Sequence, residues 1–270
     1  MHSRPTKAVI LARGLGTRMR EQSATAELDA GAAKAADAGV KGMIDVGRPF
    51  LDYVVSVLAD AGIREVCLVI GPEHDMIREH FERVRPTRVS VSYAIQAEPR
   101  GTADAVAAAE EFAGKDRVLV LNSDNYYPAA LDTVLDAPGS ALLGFDRAAL
   151  VEQSNIPAER IAAFAILDVA EDGSLRRIIE KPDAQTLAAF GDGAPISMNA
   201  WVFTPAIFPA CRNVAPSVRG ELELASAVAD AMAAGEVFTV VPVAVGCLDM
   251  SRRDDIAAVR KRLAGIEVSL

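Results

Sequence analysis

This chain of 270 residues has no long basic block and carries a net charge of −9, which argues against nucleic acid as a partner. No apolar run is long enough to cross a bilayer. Even "VFTVVPVAVG" (237–246) is interrupted by Pro242, so no membrane partner is expected. Cysteine is scarce: Cys67, Cys211 and Cys247 stand far apart, and two of them sit in apolar runs. Their odd number fits no disulfide framework, and their spacing fits no metal site. The stretch before Lys7 lacks the layout of a secretory signal. These absences together imply reduced, packed thiols in a cytoplasmic protein. Repeats and low-complexity linkers are also missing, which leaves no obvious boundary inside the chain.

What is present is ordinary for a soluble globular protein, with 51% hydrophobic and 24% charged residues. The length suits one large domain or two modest ones. Short continuous apolar runs at Ala8–Leu11, Val66–Ile70, Val118–Leu121 and Val237–Val243 read as buried parallel strands. Helical patterns separate them at Phe50–Ala61, His74–Arg83, Ala103–Phe112, Glu221–Ala234 and Ile256–Leu263. Such alternation predicts an α/β fold: a doubly wound, mainly parallel, Rossmann-like sheet with helices on both faces. Beyond Tyr127 the texture changes. Phe164–Val169 and Leu175–Glu180 flank the turn signal Glu171-Asp172-Gly173-Ser174 and read as a hairpin, and Ser197–Phe203 is a further strand. This part reads as a lobe packed on the same sheet, so residues 1–270 are expected to form a single domain. The segment 24–39 is alanine-rich and expected to be helical despite Gly31.

The first strand runs straight into a glycine turn, "AVILARGLGTRMR" (8–20). Gly14 and Gly16 let successive N–H groups converge on an anion, with Arg18 and Arg20 in reach of a polyphosphate. A dinucleotide fingerprint needs a third glycine where Met19 stands, and an acid closing a second strand soon afterwards; Asp37 lies instead in the alanine-rich segment. The Gly-Lys-Ser/Thr of a P-loop is missing as well. The loop by itself does not choose its phosphate.

Other motifs do. "LARGLGTRM" (11–19), "KGMIDVGRPFLDYVV" (41–55), "QAEPRGTADAV" (96–106), "LNSDNYY" (121–127), "EKP" (180–182), "MNAWVF" (198–203) and "LDM" (248–250) follow one another along the chain. In this order the sequence resembles the sugar-1-phosphate nucleotidyltransferases, the nucleoside-diphosphate-sugar pyrophosphorylase family. The resemblance spans residues 7 to about 260. It implies attack by a sugar-1-phosphate oxygen on the α-phosphorus of a nucleoside triphosphate, with release of pyrophosphate. A site for that reaction must hold two anions in line and neutralise the charge between them.

The resemblance carries roles to individual positions. Asp124 and Asp249 match the carboxylates that bind catalytic Mg²⁺, an ion suited to one or two carboxylates plus phosphate oxygens. Arg18 matches the arginine on the departing end of the triphosphate, and Lys41 a lysine on the nucleotide phosphates. Lys181 would contact the sugar phosphate, with Glu180 and Asn199 on the sugar. Leu11, Ala12, Gly14, Gly16 and Thr17 belong to the nucleotide loop. Gln96, Gly101 and Thr102 look like base-reading elements, a Gln amide being able to donate and accept against a pyrimidine edge. "QAExxGT" is closest to uridylyl-transferring members and "SDN" to thymidylyl ones, while "GTADAV" also occurs in adenylyl-transferring ones. UTP and dTTP are favoured and the base stays open. Residues 1–125 then form a nucleotide-binding half, 126–250 a sugar-phosphate-binding half with a small sugar-binding lobe, and 251–270 a C-terminal helix. Residues 1–270 are not expected to hold a second enzymatic domain.

Plainer readings stand beside these. Asp124 also reads as a turn residue, Asp249 as a loop acid before a helix, Thr102 as a helix N-cap, and Ser251 and Asp254 as caps of the last helix. Two positions depart from the family pattern. Arg13 replaces a small residue before Gly14; it is penalised if that backbone needs a positive φ, and otherwise supplies a phosphate or base contact. The Pro/Leu/Thr-rich segment normally found between the arginine and the lysine is replaced by the alanine-rich insert, which makes Lys34 a rival to Lys41. The insert reads equally as a lid over the triphosphate, a homo-oligomer contact or surface elaboration without function. Two other functions compete: a regulatory subunit that binds nucleotide sugar without turnover, and a nicotinamide-dependent dehydrogenase resting on the glycine loop alone.

Overall fold

The computed structural model describes residues 3–14, 16–21, 30–191 and 193–270. Its strands are β1 (Lys7–Leu11), β2 (Glu65–Ile70), β3 (Ser90–Ile95), β4 (Val118–Asn122), β5 (Asn125–Tyr126) and β6 (Ser140–Phe145). After them come β7 (Ile166–Val169), β8 (Leu175–Ile179), β9 (Ile196–Phe203), β10 (Phe238–Val243) and β11 (Leu248–Asp249). Among the described residues nine of these build one sheet, ordered β10-β6-β9-β4-β1-β2-β3, with the β7–β8 hairpin branching from β9. β5 and β11 form a separate two-stranded ribbon. The pairings of β1, β2, β3 and β4 are parallel, as is β10 with β6; β9 runs antiparallel to both its neighbours. The expected mainly parallel α/β sheet is therefore the observed one.

Alternation along the central strands explains why both faces are covered. Ala8 and Ile10 of β1, with Leu68 of β2, point into a core shared with Phe50, Val54 and Leu58 of the helix Phe50–Asp60. Val9 and Val69 point the other way, against Val106, Phe208 and Val228. A strand buried on both sides has no polar face to alternate with, hence the unbroken apolar runs. The sequence reading missed β3 and β6. β3 lies at the sheet edge, and its "SVSYAI" mixes polar with apolar residues because one edge meets solvent. β6 is buried throughout, an apolar run passed over in the sequence.

Boundaries shift where tertiary contacts intervene. The predicted helix Ala103–Phe112 is two, Thr102–Ala108 and Glu110–Ala113, broken at Ala109. The helix expected from Glu221 starts at Leu224, because the preceding residues are tied to another loop, as described below. Of the stretch 251–270, Asp255–Leu263 is helical. In the alanine-rich insert Ala30–Ala38 is helical; residues 22–29 and the side chain of Lys34 lie outside the described part.

Candidate active site

Strand order reverses between β1 and β4, and a cavity of about 490 Å³ opens where their carboxyl ends part. This is where open α/β sheets bind ligands. Leu11, Ala12, Gly14, Gly16, Thr17 and Arg18 line it from the first loop, Lys41 from the 3₁₀ turn Lys41–Met43, and Asp124 from the loop after β4. Gln96, Gly101 and Thr102 close the opposite wall. A second cavity of about 170 Å³ shares Thr102 and Glu221 with the first and is lined by Glu180, Ser197, Asn199, Trp201, Arg219 and Glu223. Two sequence-derived residues line neither: Lys181 is exposed beside Glu180, and Asp249 is buried behind Asp124 and Ser251.

The two glycines of the loop differ in what they do. Gly14 does not have a positive φ, and a Cβ there would meet nothing within 4 Å, so it leaves open space at the cavity wall. Gly16 has φ 60°, and a Cβ would lie 2.4 Å from the Gly39 carbonyl oxygen. The close approach seats the end of the insert against the loop. The helix that follows, Thr17–Arg20, is a single turn, so its dipole adds little. Arg13 adopts no positive φ and carries no such penalty. Its guanidinium crosses the ends of β2 and β3, bonding the Gln96 carbonyl through Nε (3.1 Å) and Glu73 through Nη1 (2.7 Å). Only a glycine at 71 leaves room for it, since a Cβ there would sit 2.4 Å from Arg13 Nε. His74 accepts from the Gly71 N–H through Nδ1, and its pKa is lowered by burial first, Glu73 opposing, which keeps it a neutral acceptor.

The base-end residues hold one another. Gln96 Nε2 donates to the Gly101 carbonyl (3.0 Å) and to Asp104 (2.9 Å). Gly101, at φ 131°, lets the Leu222 backbone come close: a Cβ would be 2.4 Å from its carbonyl oxygen. The Ala103 N–H donates to that oxygen, and the Leu222 N–H to Arg100. Thr102 does not cap its own helix; its hydroxyl accepts from the Leu224 N–H at 2.9 Å, capping the helix Leu224–Ala233 instead. The segment 219–224 is thereby drawn into both cavity walls. The sequence reading overlooked Arg219, Glu221 and Glu223, whose signal was the charged "RGELEL" stretch just before a helix.

The acidic pair is assembled by the β5–β11 ribbon, where Asp249 lies opposite Asn125 and the Met250 N–H donates to the Asp124 carbonyl. Lys41 Nζ lies 2.7 Å from Asp124 Oδ2. Burial would lower the Lys41 pKa, but the charge and hydrogen bond of Asp124 outweigh it and hold the ammonium above its ordinary value. Asp249 is raised to about 6, by burial first and by Asp124 second, with Arg160 opposing. Arg160 went unnoticed in the sequence. Ser251 does not cap the last helix: its hydroxyl donates to Asp249, while the carboxylate of Asp255 accepts from the Ser251 and Arg252 N–H groups. Asp254 makes no side-chain cap hydrogen bond.

Lys181 and Asn199 have φ of 46° and 58°, so two of the three predicted sugar-phosphate residues hold left-handed backbone without being glycine. Asparagine tolerates this and lysine much less, and such strain concentrates at functional positions. Glu180 is exposed by area but walled in at its carboxyl, which partial desolvation and then Glu223 push above its ordinary value.

A glycine loop at a switch point, an acidic pair of which Asp249 is buried, and two adjoining cavities are the layout of a nucleotide-handling transferase, and the comparisons place the chain in that class. The profile of the nucleotidyl transferase family matches residues 7–249, and the chain belongs to that family. Among its relatives is the UTP–glucose-1-phosphate uridylyltransferase AglF of Haloferax volcanii, 28% identical over 258 residues, covering 95% of this chain and 96% of that one. Another is a glucose-1-phosphate thymidylyltransferase of Streptomyces antibioticus, 28% identical over 225 residues; the match covers 82% of this chain but 56% of the relative. A crystal structure of UDP-glucose pyrophosphorylase complexed with UDP-glucose superposes with a TM-score of 0.73 at 15% identity, covering 97% and 99% of the two chains. Family membership displaces the dehydrogenase reading, which rested on the glycine loop alone.

Proposed function

We propose that the chain transfers the nucleotidyl group of UTP or dTTP to a hexose-1-phosphate, giving a nucleotide sugar and pyrophosphate. The observation that carries this reading is the pair of adjoining cavities, the larger one facing the phosphate loop and the smaller one lined by hydroxyl-binding groups. The activities named for the relatives support it. A sugar phosphate oxygen forms the new bond to the α-phosphorus, and the bond to pyrophosphate breaks.

In this reading Leu11, Ala12, Gly14, Gly16 and Thr17 cradle the nucleotide, and Arg18 neutralises the departing pyrophosphate. Lys41 moves its charge from Asp124 to the phosphates. Lys181, at the rim, meets the sugar phosphate, and Glu180 and Asn199 accept and donate to the sugar hydroxyls. Gln96, its amide nitrogen committed to Gly101 and Asp104, is left with a carbonyl acceptor for the imide N–H of uracil or thymine, a donor that adenine's ring lacks. Gly101 and Thr102 hold that wall in place.

The donor set fits Mg²⁺. Asp124 and Asp249 are close enough for the charge of one to raise the other, and both offer hard oxygens. Two carboxylates would leave the remainder of an octahedral shell to phosphate oxygens and water. When bound, the ion would supply charge neutralisation at the α- and β-phosphates. No helix among the described residues is long and apolar enough to cross a membrane.

The test is pyrophosphate release from purified protein with Mg²⁺, each common nucleoside triphosphate and a panel of sugar-1-phosphates. UTP or dTTP with a hexose-1-phosphate is expected to give the highest rate. Tight binding of nucleotide sugar with no release from any pair would instead establish the regulatory-subunit reading.

A further inference from the structure

Arg160 is the residue in this site for which neither motif nor family resemblance provides a role. It lies in a single turn of helix, Ala158–Ile161, ahead of β7. Its guanidinium is wedged between two aspartates: Nη2 donates to Asp249 Oδ1 at 2.7 Å, and Nη1 to Asp255 Oδ1 and Oδ2 at 2.9 and 3.1 Å. The group is largely out of water, with 13% of its side chain exposed, against 8% for each aspartate. Its Nε is buried with no hydrogen-bond partner among the described residues. Serving two carboxylates therefore leaves a donor unsatisfied, a cost the site tolerates.

The rest of the Asp249 shell is equally full. Oδ2 accepts from Asn125 Nδ2 and Ser251 Oγ, both at 3.1 Å. Asn155 clamps the backbone of the same residue, accepting from its N–H at 2.9 Å and donating to its carbonyl at 2.7 Å. Asp249 is thus fixed, has a guanidinium beside it and is short of free lone pairs, while Asp124 lines the open cavity with Lys41 on one oxygen. The two carboxylates are unequal partners for a cation.

We propose that Arg160 is the built-in counter-cation of Asp249. It fixes the carboxylate and occupies the charge that a divalent ion would otherwise claim, so the ion is held firmly only together with the triphosphate. Arg160 is a positioning residue in this account, acting through Asp249, and the inference rests on the metal reading given above. Like charges held a few ångströms apart at partly buried sites repel strongly, so removing one should be felt by the other.

The measurement is Mn²⁺ binding to the whole protein by electron paramagnetic resonance at pH 8, with and without UTP, beside the Mg²⁺ concentration for half-maximal activity. Without UTP, Arg160→Met is expected to lower the Mn²⁺ dissociation constant by about fivefold or more, roughly the effect of one unit-charge contact at the dielectric of water. Arg160→Lys, which keeps the charge, should stay near the wild-type value. Asp255→Asn loosens the other half of the bridge without removing the cation and should also stay near it. An unchanged or weaker Arg160→Met site overturns the inference, as does equal tightening in Asp255→Asn. If no form binds Mn²⁺ even with UTP, the metal reading fails and takes this inference with it.

Discussion

At the scale of single residues, the site is a set of charges held in temporary pairs. Lys41 sits on Asp124 and Arg160 on Asp249, so each acid already has a protein cation beside it. Substrate and ion binding must redistribute these pairs. Asp124→Asn is therefore expected to lower kcat by roughly a hundredfold or more, the scale seen when a preorganised electrostatic contact to a transition state is removed. Sugar-1-phosphate binding, followed by titration calorimetry, should change by less than about threefold. Equal loss of both would make Asp124 a structural turn residue. Arg13 shows the opposite behaviour: its guanidinium is spent on Glu73 and the Gln96 carbonyl, so it braces the ends of β2 and β3.

At the scale of elements, backbone contacts between loops decide the geometry. Gly16 against Gly39, and Gly101 against Leu222, are approaches that a single Cβ would block. Gly139 has φ 62°, close to that of Gly16, but a Cβ there would meet nothing within 4 Å. Alanine at 16 and at 139 therefore separates steric blockage from dihedral strain, while Gly101, at φ 131°, carries both. Gly139→Ala should cost about 1 kcal/mol, or roughly 2–3 °C in Tm. Gly16→Ala and Gly101→Ala should cost roughly 3 kcal/mol, because backbone atoms cannot rotate away. Matching Tm losses in all three would refute the close-approach argument. Thr102→Val removes the hydroxyl that accepts from the Leu224 N–H, and about 1 kcal/mol of stability is expected to go with it. Thermal melts of the same series check that value.

At the scale of the whole molecule, the sheet buries its thiols on both sides. Burial pushes Cys67 up to about 11 and Cys211 up to about 12, and Cys247 well above its ordinary value. Native protein at neutral pH should react slowly with a thiol-specific disulfide reagent, and all three groups should titrate once it is unfolded. Rapid reaction of any one in the native state would contradict the packing. The sign for stability follows. Unfolded thiols ionise near pH 9 while the folded ones hold their protons, so stability from this source is complete below pH 9 and declines as pH rises towards 12. Denaturant midpoints measured across that range should fall.

Apolar runs with no polar alternation fixed the central strands in the sequence, because a parallel strand covered on both faces leaves that mark locally. The ordered motifs likewise made the family legible, since each is a contiguous stretch whose chemistry needs no partner to be recognised. β3 escaped because an edge strand carries a mixed pattern, and the role of Gly101 escaped because its reason lies in Leu222, more than a hundred residues away. Only the tertiary structure paired Asp249 with Arg160, set Lys41 on Asp124 and joined the two cavities through Thr102 and Glu221. Residue types and local periodicity are properties of neighbouring positions; which charges meet is decided by strands and loops that become neighbours only after the sheet has formed.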